Sequence, residues 1–222
     1  MKTLSLSILS IFLLTAYNTP TTNNVSYNPA ESQDITFDFE NYSLGKAPTG
    51  WTTYFTGKGD LGKWQILDDH GNKVLAQTSK ENFGYHFDVI VNNELSYKDV
   101  EITVRFKGTD GEEDQGGGPV WRYKDANNYY IARANPLENN YRVYKVIDGN
   151  RRQLNSVNME IKSGKWYSLK ITMKGDKINC YFNDELKMEA TDNSFQNAGK
   201  TGLWTKADAV TYFDDLKIKD IE

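Results

Sequence analysis

At 222 residues, with 38% hydrophobic and 13% aromatic content, the chain can bury a core of its own as one large domain, without disulfides or a metal to hold it. Its formal charge of −4, with no cluster of Lys or Arg, argues against a polyanionic partner such as nucleic acid. Its single cysteine, Cys180, excludes an intramolecular disulfide.

In chain order, Lys2 precedes an apolar stretch from Leu4 to Ala16 that is interrupted only by Ser and Thr. That length suits the apolar region of a signal peptide and is too short to span a bilayer comfortably. Residues 1–18 are therefore expected to be a signal peptide with an approximate end, the alternative being an uncleaved anchor. Residues 19–34, rich in Pro, Thr and Asn, read as a linker without core-forming residues, and residues 35–222 as the folded domain. The expectation is an exported protein, periplasmic or extracellular, with no transmembrane helix in the mature chain.

From Ile35 the sequence reads as short strands separated by turn chemistry. Ile35 to Glu40 alternates apolar and polar residues with period 2. Asp69-His70-Gly71-Asn72 separates two further strands as a hairpin turn. Val100, Ile102, Val104 and Phe106 alternate with Glu101, Thr103, Arg105 and Lys107, the clearest two-faced strand in the chain. A Gly- and acid-rich loop, Gly108 to Gly118, follows, and its Glu112-Glu113-Asp114 run reads as a solvated acidic loop. Strands recur around Val120–Tyr123, Asn128–Ala134 and Tyr141–Ile147, with turns at Asp125-Ala126-Asn127 and Asp148-Gly149-Asn150. Tyr167, Leu169, Ile171 and Met173 share one face of the next strand. Cys180 keeps step with Ile178 and Phe182, which predicts a buried small apolar side chain. Strands at Thr201–Thr205 and Val210–Ile218 close the chain. Short turns between consecutive strands require antiparallel pairing, so the pattern predicts an all-β antiparallel sandwich in a single domain.

Chemistry has few starting points. His70, in a turn, and His86, at a strand start, lack a second histidine at ligand spacing and read as ordinary surface or edge residues. No Gly-x-Ser-x-Gly motif is present. The segment from Trp121 to Tyr144 concentrates groups suited to sugar: flat aromatic faces in Trp121, Tyr130 and Tyr144, and planar hydrogen-bonding groups in Arg122, Arg133, Asn135, Glu138 and Arg142. The alternative is that Arg and Glu pair structurally while the tyrosines pack the sheet. Trp204 and Lys206, with Asp208, form a second candidate cluster at the last turn, where Lys206 and Asp208 also suit a turn-stabilising pair. Asp38 and Glu40 in the first strand and Asp214 and Asp215 in the last are brought together if the terminal strands are neighbours. A structural Ca²⁺ there is one reading. Solvated acidic edges that discourage edge-to-edge pairing are the commoner one.

Two stretches, GGGPVWRYKDANNYYIARANPLENNYRVY from Gly116 to Tyr144 and GLWTKADAVTYFDDL from Gly202 to Leu216, carry a family resemblance. With the Trp166, Gly175-Asp176 and Asn183-Asp184 punctuation between them, they resemble the 3-keto-disaccharide hydrolase-like family. More loosely, they resemble laminin-G and concanavalin A-like domains. The resemblance implies a concanavalin A-like jelly roll with a concave face that holds glycans, and a carbohydrate partner. It also implies cleavage of 3-keto-glycosides, with Glu138 as base and Arg122 or Arg133 as electrophile; the alternative is a non-catalytic, lectin-like domain.

Overall fold

Period-2 alternation decides which side chains meet between the sheets. In the strand Val100–Asp110, Val100, Ile102, Val104 and Phe106 are fully buried, while Glu101, Thr103 and Arg105 are only half-buried. The partner strand Tyr167–Lys174 presents Leu169 opposite Val104 and Ile171 opposite Ile102, so the apolar face is continuous across the pair.

The computed structural model describes residues 34–221; the expected signal peptide, and the linker up to residue 33, lie outside the described residues. Its strands are β1 (Ile35–Phe37), β2 (Trp51–Gly57), β3 (Trp64–Asp69), β4 (Asn72–Gln77), β5 (His86–Tyr97), β6 (Val100–Asp110), β7 (Gly117–Asp125), β8 (Asn128–Asn135), β9 (Asn140–Ile147), β10 (Asn150–Asn158), β11 (Tyr167–Lys174), β12 (Lys177–Phe182), β13 (Glu185–Thr191), β14 (Gly199–Lys206) and β15 (Val210–Asp220). Among the described residues there is no helix, and hence none long and apolar enough to cross a membrane. Sheet A runs β13-β12-β11-β6-β15-β4-β3, with β1 added to β15; sheet B runs β10-β9-β8-β7-β14-β5-β2. Every pair of named strands is antiparallel, and for consecutive strands such as β3–β4, β9–β10 and β11–β12 the short connections require it. The turns are as the sequence implies: His70-Gly71 and Asp148-Gly149 take positive φ at both central positions, the geometry that matches strand twist in tight hairpins.

The core between the sheets includes Trp64, Leu75, Val104, Trp121, Tyr130, Leu169, Ile171, Cys180 and Phe213. Burial pushes the Cys180 thiol up to about 12, which leaves it protonated and inert. His86 is buried rather than at a surface or edge: its Nε2 lies 2.9 Å from Asp88 Oδ1, and Asp88 Oδ2 accepts from Gln77 Nε2 at 2.6 Å. Burial alone would lower the imidazolium, but the hydrogen bond and charge of Asp88 outweigh it and the pKa is raised.

A second apolar cluster lies on the opposite face of sheet B. It contains Phe87, Val89, Val91, Val120, Tyr123, Tyr129, Ile131, Tyr144, Val146 and Trp204. Arg151, at the start of β10, places its guanidinium 4.6 Å from the ring centre of Tyr144, 4.9 Å from Phe87 and 5.7 Å from Trp204. Strand β10 is five strand spacings from β5 in the sheet, about 24 Å if the sheet were flat. No arginine reaches that far, so sheet B curls over this face and makes it concave. Tyr85 fastens the curl, its hydroxyl donating to Gly149 O at 3.0 Å and accepting from Arg151 N at 2.6 Å. At the β2 edge, Thr56 Oγ1 bonds the Ala126 carbonyl and lies 2.7 Å from the Tyr129 hydroxyl.

The Arg151 contacts make one prediction. Arg151→Met keeps the aliphatic reach and removes the charge, and it is expected to cost about 2 kcal/mol in urea unfolding, the value of a desolvated cation–π contact. An unchanged midpoint would mean that the desolvation of the guanidinium cancels that contribution.

Candidate functional site

Where β8 ends and β9 begins, the concave face meets a cluster of charge organised by Arg133. This side chain is fully buried. Its Nη1 donates to Asp114 Oδ2 at 2.9 Å, and its Nη2 donates to Glu138 Oε2 at 2.8 Å and to Asn140 Oδ1 at 3.0 Å. Gly116 makes room for it, since a Cβ there would stand 2.7 Å from both Arg133 Cδ and Asp114 Oδ1. The loop that carries Asp114 is anchored in turn by Asp208, whose carboxylate accepts the backbone N–H groups of Glu112, Glu113 and Asp114 at 2.7–3.1 Å.

Glu138 lies between this buried base and solvent. Its side chain is 34% exposed, and Oε2 also accepts from Arg142 Nη1 at 2.9 Å and Asn140 Nδ2 at 3.0 Å. Burial alone would raise its carboxyl, but the hydrogen bonds from Arg133 and Asn140 and the charges of Arg133 and Arg142 hold it down at about 2. Tyr144 underlies the group, its ring centre 5.9 Å from the Arg133 guanidinium and its hydroxyl 3.5 Å from Arg142 Nη1. Lys206 completes the rim, with Nζ 3.2 Å from Glu113 Oε1 and 3.4 Å from Asp114 Oδ2.

The structure thus brings together Arg133, Asn135, Glu138, Tyr144 and Lys206, with Trp204 on the concave face beyond. Asn135 is itself buried and acts through others, donating to Asp114 Oδ1 at 3.1 Å and accepting from Leu137 N at 2.9 Å. Lys206 pairs with Glu113 and Asp114 and not with Asp208, which is committed to backbone.

Three expected members lie elsewhere. Trp121 and Tyr130 face the inter-sheet core, stacked on each other at 5.6 Å, with Trp121 Nε1 donating to Met173 Sδ. Arg122 takes a positive φ of 44° at a register shift in β7, and its guanidinium bonds Lys98 O, Phe195 O, Gly175 O and Asp99 Oδ1. It shares no partner with Arg133 and clamps loops at the other rim.

The terminal strands pair as expected, but the four carboxylates proposed for Ca²⁺ do not converge. Asp38 Oδ1 accepts from Glu40 N and Glu40 Oε1 from Lys73 N. Asp214 Oδ2 accepts from Asn72 Nδ2, and Asp215 Oδ2 lies 3.4 Å from Arg105 Nη1. Among the described residues no group of three or more His, Cys, Asp or Glu is arranged to hold a metal ion.

Asp114, Asn140 and Arg151 belong to the site and have no place among the residues singled out from the sequence. The Glu112-Glu113-Asp114 run reads as solvated, yet Asp114 is fully buried, and the hairpin register that sets Gly117 opposite Ala134 places it beside the Pro136–Glu138 turn. Arg151 offered no such signal, because only the curl of sheet B brings it to the aromatic cluster.

Residues 50–219 match the family model of the 3-keto-alpha-glucoside-1,2-lyase-like domain. The chain belongs to this family. It is also 27% identical over 173 residues to a levanase of Bacillus subtilis (strain 168), an alignment covering 76% of this chain and 22% of the levanase. The chain therefore spans about a fifth of the length of that curated relative. Among solved structures, the carbohydrate binding module CBM66 from Bacillus subtilis superposes with a TM-score of 0.63 at 24% identity, over 78% of this chain and 96% of that one. A Bacillus licheniformis β-glucanase superposes with a TM-score of 0.57 at 14% identity, over 85% and 98% of the two chains. The fold is thus shared by a carbohydrate-binding module and a glucanase.

Removing Asp114 strips the buried Arg133 of its enclosed counter-charge, so Asp114→Ala is expected to cost about 3–5 kcal/mol in chemical denaturation. Gly116→Ala should displace the same pair and destabilise in the same direction. If Asp114→Ala left the unfolding midpoint within error of wild type, Arg133 would not be the organising charge.

Proposed function

We propose that this domain binds carbohydrate without cleaving it, at the mouth of the concave face of sheet B, with Glu138 and Arg142 as the contacting polar pair and Tyr144 behind them. The observation that carries this reading is the state of Glu138. A carboxylate fixed between two guanidiniums is a permanent acceptor of known direction, and Arg142 beside it is a donor with 29% of its side chain exposed. Neighbouring sugar hydroxyls offer one donor and one acceptor at matching spacing, so a pre-set pair of this kind recognises them at little entropic cost. Lys206 extends the donor set along the rim. The family of binding modules and glucanases that share the fold supports a saccharide as the partner, and the levanase relative makes levan a natural first probe.

The second reading, cleavage of 3-keto-glycosides, is supported by the family to which the chain belongs. Removing a proton next to a ketone calls for a base poised near the working pH. Glu138, at about 2, is ionised but weakly basic, which favours the binding reading. Export to the periplasm or outside the cell, drawn from the Leu4–Ala16 stretch, is part of the same proposal.

Calorimetric titration of the purified protein with levan, laminarin and 3-keto-glucosides tests both readings. Saturable binding to a saccharide is expected, weakened at least tenfold by Arg142→Ala and by Glu138→Gln, about the loss of one hydrogen bond to a charged group. Product release from a 3-keto-glucoside that disappears in Glu138→Gln would establish the enzyme instead. A folded protein with neither binding nor turnover would overturn both.

A further inference from the structure

The mouth of the concave face is not the only recess with unspent polar groups. At the other rim a cleft of about 400 Å³ is lined by Lys98, Arg122, Gly175, Asp176, Asn193, Gln196 and Asn197. That volume lies within the range of small-molecule sites. Its floor is rigid. Arg122, 2% exposed, ties three segments together by donating from Nε to Lys98 O at 2.7 Å, from Nη1 to Phe195 O at 2.6 Å and from Nη2 to Gly175 O at 2.8 Å. Asp99 receives the same Nη2 at 3.1 Å and so balances its charge.

One wall is the loop between β13 and β14, whose backbone is pinned at two points. Asp192 accepts from Tyr130 Oη at 2.6 Å, from Lys145 Nζ at 2.5 Å and from Ser194 N at 2.9 Å. Phe195 packs edge-on against Tyr130, with ring centres 4.9 Å apart. Between and beyond these pins, the side chains of Asn193, Gln196 and Asn197 make no hydrogen bond among the described residues. Among the described residues, those of Lys98 and Asp176 across the cleft also make none, and no ion pair.

We propose that this cleft is a second, independent binding site for a neutral oligosaccharide. Three side-chain amides, each able to donate and accept at once, face one ammonium and one carboxylate, so the lining carries no net charge once Arg122 is paired with Asp99. Such a surface matches a ligand rich in hydroxyls and without charge. Ordering cost is small because the loop backbone is already fixed. The site is separate from the concave mouth: Arg122 is five residues along β7 from Gly117, roughly 17 Å at strand rise, and faces the opposite rim.

The test is a titration of the whole isotope-labelled protein, followed through the side-chain amide resonances of Asn193, Gln196 and Asn197. The probes are levan-, laminarin- and malto-oligosaccharides to about 50 mM, a range that reaches weak sites. At least one neutral probe is expected to shift these amides saturably, equally in wild type and in Glu138→Gln. The exposed double variant Asn193→Ala/Asn197→Ala should weaken that binding at least tenfold and leave any binding at Glu138 unchanged. The proposal is overturned if no neutral probe shifts the amides, if the shifts vanish in Glu138→Gln, or if only an acidic probe such as oligogalacturonate produces them. Failure of binding at the concave mouth, with these shifts intact, would remove the first site alone.

Discussion

A guanidinium taken out of water must be given its counter-charges in place, and the burial of Arg133 imposes that demand on everything around it. Asp114 meets it from the loop before β7, which is why that loop cannot stay solvated and why Asp208 reaches across to hold three of its backbone N–H groups. Glu138 meets it from the turn after β8, and in doing so it is fixed at the edge of solvent with a second arginine beside it. The polar pair for which binding is proposed is therefore a by-product of solving an electrostatic problem inside the fold.

Sheet B supports this arrangement because both of its faces are apolar for different reasons. One face closes the core against sheet A. The other is rolled until Arg151 of β10 lies over aromatic rings from β5, β9 and β14. Both arginines lie against the Tyr144 ring, and burial together with the charge of Arg133 lowers the Arg151 pKa, a cost partly offset by its ring contacts and by the charge of Asp114. Curvature and site are thus coupled through one tyrosine.

Much of the architecture was legible from alternation and turn chemistry, since β6, β11, β12 and the tight turns each follow a rule with a local cause. Strands β2, β10 and β13 were not anticipated, and each lies at the end of a sheet, where one missing neighbour lets polar residues replace the apolar alternation. The candidate site was legible in its charged residues and misread in its aromatic ones. In Tyr129-Tyr130-Ile131-Ala132 every position is apolar, so parity alone does not tell the core face from the concave face, and Trp121 and Tyr130 went to the wrong one. Arg122 shares parity with Val120, but the register shift in β7 breaks that parity and turns its side chain to the rim.

The state of Glu138 is the point at which fold and function meet, and it is directly measurable. A carbon-13 titration of its side-chain carboxyl should give a midpoint near 2, well below the ordinary glutamate range. Because the folded value is depressed, the stability it contributes is present above the ordinary range and is lost as pH falls toward 2. A midpoint at or above the ordinary value would contradict the account, since it would mean that Arg133 and Arg142 do not hold this carboxylate.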